Sequence, residues 1–265
     1  MFRQRLLTTL VLVPLVLFAI YFANNWFFAG CILVLLLACA GEWLQLIPVS
    51  RQWTKVLFVA LVVLLTWFSQ YEFSALLLVG LVLWGLIFIA VITYPASQPA
   101  WGYPWLVAAA GLFLLPLFAQ SMMHVYQHAQ GKDLIVYLLF LVWAADIGAY
   151  LAGKQWGKHK LIPAVSPGKT IEGSLGGFTL SMVVALIGYY YFQPKLALNW
   201  FLIAIATTLI SILGDLFISM LKRRSKIKDT GYLLPGHGGA LDRLDSLIAA
   251  LPLFYCGLVF FTPGL

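Results

Sequence analysis

Apolar residues run along this chain in blocks of about twenty, and polar residues are confined to short gaps between the blocks. The blocks predict spans near 6–22, 26–47, 54–69, 74–93, 105–122, 134–152, 173–192, 199–221 and 245–262. Most approach the roughly 20 residues a helix needs to cross a bilayer. The fold class expected is therefore all-α, a polytopic integral membrane protein of about nine transmembrane helices. The third block is short and is expected to tilt little or to be partly re-entrant. Arg3 and Arg5 ahead of the first block give it the look of a signal sequence. No small-residue cleavage site follows and another span starts at once, so it reads as a retained helix.

Composition agrees: 63% of the 265 residues are hydrophobic and 9% charged, against about 25% charged in soluble domains. In that setting a net charge of +7 points to topology and anionic lipid head groups rather than to nucleic acid. Cys31, Cys39 and Cys256 sit in apolar stretches without paired spacing, which argues against a disulfide framework or a zinc site.

Cytoplasmic loops retain lysine and arginine. With the N-terminus inside, only Lys132 and Lys195 of the 16 basic residues fall outside. One span more or fewer before residue 153 would reverse that bias. The acids follow it: Glu42, Asp146, Glu172, Asp215, Asp229, Asp242 and Asp245 share the inner face, leaving Glu72 and Asp133 elsewhere. Ionisable groups within a span cost about 2.5–3.5 kcal/mol at its centre and usually face a cavity, a partner or an ion. A cytoplasm-facing site between the last four helices accounts for them.

The chain divides accordingly. Residues 1–133 read as a scaffold of about five helices, with Trp26, Trp53, Trp101 and Trp105 as interfacial anchors. Glu42 is the exception, and pairing with a nearby basic residue is the plain expectation for it. Residues 134–265 read as the catalytic region of about four helices, with cytoplasmic loops 153–172 and 222–244.

Asp146 and Tyr150 share a helix face. Pro163 and Pro167 keep the following basic loop from being one helix, and Gly173 and Gly177 form a small-xxx-small pair suited to close helix approach. Gly168-Lys169-Thr170 looks like the end of a P-loop, but position 163 is proline where that motif needs glycine and no strand is expected before it. What survives is Lys169, the hydroxyls of Ser166 and Thr170, and amides at a helix start, together suited to an anion.

Further on, Asp215, Ser219 and Lys222 fall on one helical stripe. Asp242 and Asp245 lie in the first turn of the last helix, where capping is one use for a carboxylate. With Asp215 they also make a hard, oxygen-rich set of the kind that holds magnesium with phosphates.

Residues 219–245 resemble the signature of the phosphatidate cytidylyltransferase (CDP-diacylglycerol synthase) family. The match runs through Ser219, Lys222-Arg223, Lys228-Asp229, Gly231, Leu234-Pro235, His237-Gly238-Gly239 and Asp242-Arg243-Leu244-Asp245. It extends upstream to Asp146, Ser166-Pro167-Gly168-Lys169-Thr170, Glu172 and Gly214-Asp215. Ala240 departs from it, since the family usually has a larger aliphatic residue there.

The resemblance implies transfer of CMP from CTP to phosphatidic acid, giving CDP-diacylglycerol and pyrophosphate. It implies catalytic roles for Asp215, Lys222, Arg223, Asp242 and Asp245. Substrate contacts would come from Asp146, Ser166, Lys169, Thr170, Glu172, Ser219, Lys228, Asp229, His237, Gly238, Gly239 and Arg243. Mg2+ would be held by Asp215, Asp242 and Asp245, with room for a second cation, K+. A homodimer is also implied, and with the charge bias above the expected location is a bacterial inner membrane, with the active site facing the cytoplasm. The residues suit this chemistry independently, because phosphoryl transfer asks mainly for positioning, divalent metal and cations.

Two other classes compete. A cation-coupled transporter would place its acids at mid-membrane or show internal repeats, whereas here they gather at one face. A cytidylyltransferase for another lipid phosphate, such as an isoprenoid, would carry a similar nucleotide-side motif. The acidic signature of a CDP-alcohol phosphotransferase is absent.

Overall fold

A computed structural model describes residues 2–47, 51–231 and 238–262. Ten helices and one small hairpin appear in chain order: α1 Phe2–Phe22, α2 Asn25–Trp43, α3 Gln52–Ser69, α4 Phe73–Ile92, α5 Gln98–Trp101, α6 Pro104–Tyr126, α7 Gly131–Trp156, β1 Lys160–Ile162, β2 Ser166–Thr170, α8 Ile171–Phe192, α9 Ala197–Arg224 and α10 Leu241–Phe261. Among the described residues, eight of the helices are long and apolar enough to cross a membrane. The remaining expected span, the first, near 6–22, corresponds to α1, whose apolar part is Leu10–Phe22. The short third block forms a continuous 18-residue helix with no re-entrant turn.

Local chemistry sets the helix ends. The Asn24 side chain accepts the Phe27 amide at 2.8 Å and starts α2. Pro104 opens α6, where a missing amide hydrogen costs nothing. Gln193 takes a left-handed conformation, φ 48°, to close α8.

Helices α6, α7, α9 and α10 bury more than half of their apolar stretches and form the centre, while α3 and α8 expose most of theirs. With no hydrophobic drive between helices in lipid, close backbone approach supplies the attraction. The seam between α7 and α8 achieves this: a Cβ on Gly148 would lie within 3.0 Å of the Gly176 carbonyl, and one on Gly177 within 3.0 Å of the Ala145 carbonyl. The small-residue spacing expected from Gly173 and Gly177 is thus met.

Elsewhere buried donors tie the helices to one another and to the link between α1 and α2. Trp43 Nε1 donates to the Val107 carbonyl at 2.9 Å, Tyr126 Oη to Ala23 at 2.7 Å and Trp200 Nε1 to Ala185 at 2.8 Å. Trp101 departs from the anchoring role expected of it: it is buried and meets Phe217 edge-on at 5.3 Å. Trp26, Trp53 and Trp105 remain exposed.

Contacts at the helix ends fix the alternation. At one end, Asp133 at the start of α7 accepts the hydroxyls of Tyr21, late in α1, and Tyr191, late in α8. Asn199, early in α9, donates to Phe261 at the end of α10. At the other end gather the C-termini of α2, α7 and α9 and the N-termini of α8 and α10, together with the hairpin. The hairpin was not foreseen. It fills the loop in which Pro163 and Pro167 exclude helix, pairing Lys160 with Thr170 and Ile162 with Ser166.

Candidate active site

The site is assembled at the end where the hairpin lies. Helix α9 contributes Asp215, Ser219, Lys222 and Arg223; α7 contributes Asp146; β2 contributes Lys169; α10 contributes Asp242, Arg243 and Asp245. Gly214 brings α9 and α10 together here, since a Cβ on it would lie within 3.0 Å of the Asp245 carbonyl. Asp215 and Asp245 are therefore neighbours on adjoining helices.

Two lysine–aspartate pairs dominate. Lys169 Nζ lies 2.6 Å from Asp215 Oδ2, and Ser219 Oγ donates to Asp215 Oδ1 at 3.1 Å. Lys222 Nζ lies 2.8 Å from Asp242 Oδ1, in a less accessible setting. Asp242 Oδ2 accepts the amides of Thr230 at 2.8 Å and Gly239 at 3.1 Å. Gly238 sits at φ +82°, a backbone conformation that favours glycine. A Cβ there would also press on Asp242 Oδ2.

Asp245 is buried, 7% exposed, and accepts the Ser246 amide at 2.8 Å. Asp215 lies within electrostatic range of both Asp245 and Asp146, and Lys169 within range of all three. Asp146 keeps an accessible side chain and has Arg243 among its electrostatic neighbours.

The expected set of Asp215, Asp242 and Asp245 does not close as one metal-binding group. Among the described residues no three His, Cys, Asp or Glu side chains are so gathered. The difference lies in the partners: Asp242 is held by Lys222 and by the backbone amides of Thr230 and Gly239, whereas the described partners of Asp215 are the side chains of Lys169 and Ser219, which can turn aside. Magnesium commonly binds through one or two carboxylates plus substrate phosphates. Asp215 and Asp245, two hard oxygen donors set side by side, fit that demand.

The remaining expected residues divide by neighbour. Thr170 Oγ1 accepts the Gly173 amide at 3.1 Å, so its hydroxyl caps α8 instead of standing open to an anion. Glu172 receives the amides of Lys158 at 3.1 Å and His159 at 3.2 Å together with the His159 ring, and so braces the start of the hairpin. Arg223 Nε donates to the Val165 carbonyl at 3.4 Å and ties the hairpin to α9. Lys228 and Asp229 are exposed on the loop after α9, and Ser166 is half-buried. His237 lies outside the described residues. Ala240 is buried.

The residue that sequence reasoning undervalued is Glu42. It pairs with no basic side chain among its described contacts. Its carboxylate accepts the amides of Ala240 at 2.9 Å and Leu241 at 2.7 Å, and the Thr230 hydroxyl at 3.3 Å. Gln45 Nε2 donates to the Thr230 carbonyl at 2.5 Å, and Arg224 Nη1 to the Leu46 carbonyl at 3.0 Å. The end of α2 therefore belongs to the site. An acid inside an apolar helix was the available signal for Glu42; Gln45 and Thr230 gave none.

A model of the cytidylyltransferase family matches residues 3–261. The chain belongs to that family. It is 42% identical over 275 aligned positions to a phosphatidate cytidylyltransferase of Pseudomonas aeruginosa, covering 96% of each chain. It is 34% identical over 280 positions to one of Haemophilus influenzae, covering 96% of this chain and 97% of that one. A Staphylococcus aureus phosphatidate cytidylyltransferase is 46% identical over 128 positions, about half of either chain. In this member of the cytidylyltransferase family, both lysine–aspartate pairs and the α2 contacts fall within the matched span.

Proposed function

We propose that this chain transfers CMP from CTP to phosphatidate, forming CDP-diacylglycerol and releasing pyrophosphate. One observation carries the reading: the two pairs, Lys169 with Asp215 and Lys222 with Asp242, converge at one end of a membrane bundle. Two near-full-length relatives named for this activity add support. A phosphate oxygen of phosphatidate attacks the α-phosphorus of CTP, and the bond to the pyrophosphate oxygen breaks. The chain need supply no nucleophile, because the lipid phosphate is one already.

Its own residues position and neutralise. Asp215 aims the Lys169 ammonium, and Asp242 aims that of Lys222, at the phosphates. Arg223 and Lys228 add charge for the pyrophosphate at the exposed rim. Cations aimed at charge that grows in the transition state lower the barrier without reorganising. Magnesium would be held by Asp215 and Asp245, and when bound it would offset charge on the nucleotide phosphates.

The lipid needs apolar room beside this polar cluster. A cleft of about 490 Å3 runs between α4 and α9, bounded by Trp84, Phe88, Leu213 and Leu216 and, from the hairpin, by Leu161 and Ile162. It adjoins the turn of α9 that bears Asp215 and suits an acyl chain. The basic residues gathered at the hairpin end support a cytoplasmic active site, and the bacterial relatives support a bacterial inner membrane.

Purified protein given labelled CTP and a panel of lipid phosphates tests the reading. Label transfer to phosphatidate with stoichiometric pyrophosphate is expected. Transfer to an isoprenoid phosphate in preference would move the assignment to that lipid class, and no transfer to any lipid phosphate would overturn it.

A further inference from the structure

Glu42 is 8% exposed, yet it touches neither lysine–aspartate pair. It grips the loop between α9 and α10 on both of its described limbs. Oε1 accepts the Ala240 amide, while Oε2 accepts the Leu241 amide and the Thr230 hydroxyl. The backbone closes around it, since a Cβ on Gly231 or on Gly239 would lie within 3.0 Å of its carboxyl group. Asp242 holds the same two limbs from the other side, through the amides of Thr230 and Gly239, and holds Lys222 with its second oxygen. A helix cap would need only the first amides of α10. Bonding to Thr230 on the opposite limb is a further task.

We infer that Glu42 is a positioning residue: by clamping Thr230 to the start of α10 it fixes Asp242, and through Asp242 the ammonium group of Lys222. This rests on the proposed cytidylyltransfer, in which Lys222 meets phosphate. A carboxylate is required because all three partners donate. In glutamine one oxygen becomes an amide nitrogen, so at least one donor would face another donor.

Glu42→Gln tests the inference through kinetics and through amide hydrogen exchange of the detergent-solubilised protein. Turnover is expected to fall about ten- to a hundredfold, the scale reached when distant changes misplace reacting groups by about 1 Å. The KM for CTP should stay within about threefold. Exchange should quicken in 228–231 and 238–245 while α7 and α8 keep their protection. Turnover within about twofold of the parent, or unchanged exchange in those segments, would overturn it. So would a turnover loss that tracks loss of thermal stability. If Glu42→Gln does not fold, Gly231→Ala presses a methyl group on the same carboxylate from the loop side, and the same outcomes apply. Parent protein that fails to use CTP and phosphatidate would count against the proposed reaction, while exchange still decides the clamp.

Discussion

Lys169, on a two-stranded hairpin, and Asp215, inside a membrane-spanning helix, meet at 2.6 Å. An acid at that depth gains a partner from the loop, and a loop lysine gains a fixed direction. Neutralising either member should therefore damage chemistry more than folding. Lys169→Met and Asp215→Asn are each expected to lower turnover by about a hundredfold or more, in the range of losing one preorganised charge contact. The double variant should be scarcely worse than the single ones, because the residues act as a unit. Steady-state assays beside thermal melts check this, and turnover close to the parent in both single variants would remove the pair from the mechanism.

Metal dependence should separate the three acids. Asp215→Asn and Asp245→Asn are expected to raise the magnesium concentration needed for half-maximal rate. Asp242→Asn should lower the rate at every magnesium concentration, since its oxygens hold Lys222 and two loop amides. Titrating magnesium against each variant, with and without K+, distinguishes them. A magnesium shift confined to Asp242→Asn would reverse the assignment.

Helix packing offers a test independent of activity. Gly148→Val and Gly177→Val place carbon atoms where backbone from the facing helix already lies. Overpacking of this kind costs about 1–3 kcal/mol, occasionally more. A clear drop in the detergent melting midpoint is expected for both. Gly30→Ala meets nothing within 4 Å and should melt like the parent.

Orientation can be read by labelling single cysteines in a background lacking Cys31, Cys39 and Cys256. Lys160→Cys should react from the cytoplasmic side and Lys195→Cys from the opposite side. The reverse pattern would overturn the cytoplasmic placement of the site.

Helix positions were legible because each span is a long apolar block, and most observed ends fall within a few residues of those expected. The hairpin was not, because two short strands with a proline in one leave no period-two pattern. Lys169, Asp215, Lys222 and Asp242 were legible as polar residues in a chain that has few. Who pairs with whom was not, since Lys169 and Asp215 belong to separate elements whose approach is set by packing. Glu42 shows the same limit from the other side. Its oddity was visible, but its partners are backbone amides, which every sequence position carries alike.

The glycine seam binds α7 and α8 backbone to backbone, so these two helices cannot part without losing contact along their length. Nothing comparable lines the cleft between α4 and α9, where side chains such as Leu81, Phe88 and Leu209 can swing to new rotamers. The bundle thus has one stiff wall and one pliant one. A two-tailed lipid would come and go past the pliant wall, so mutations that slow its passage should map to α4 and α9 and spare the seam.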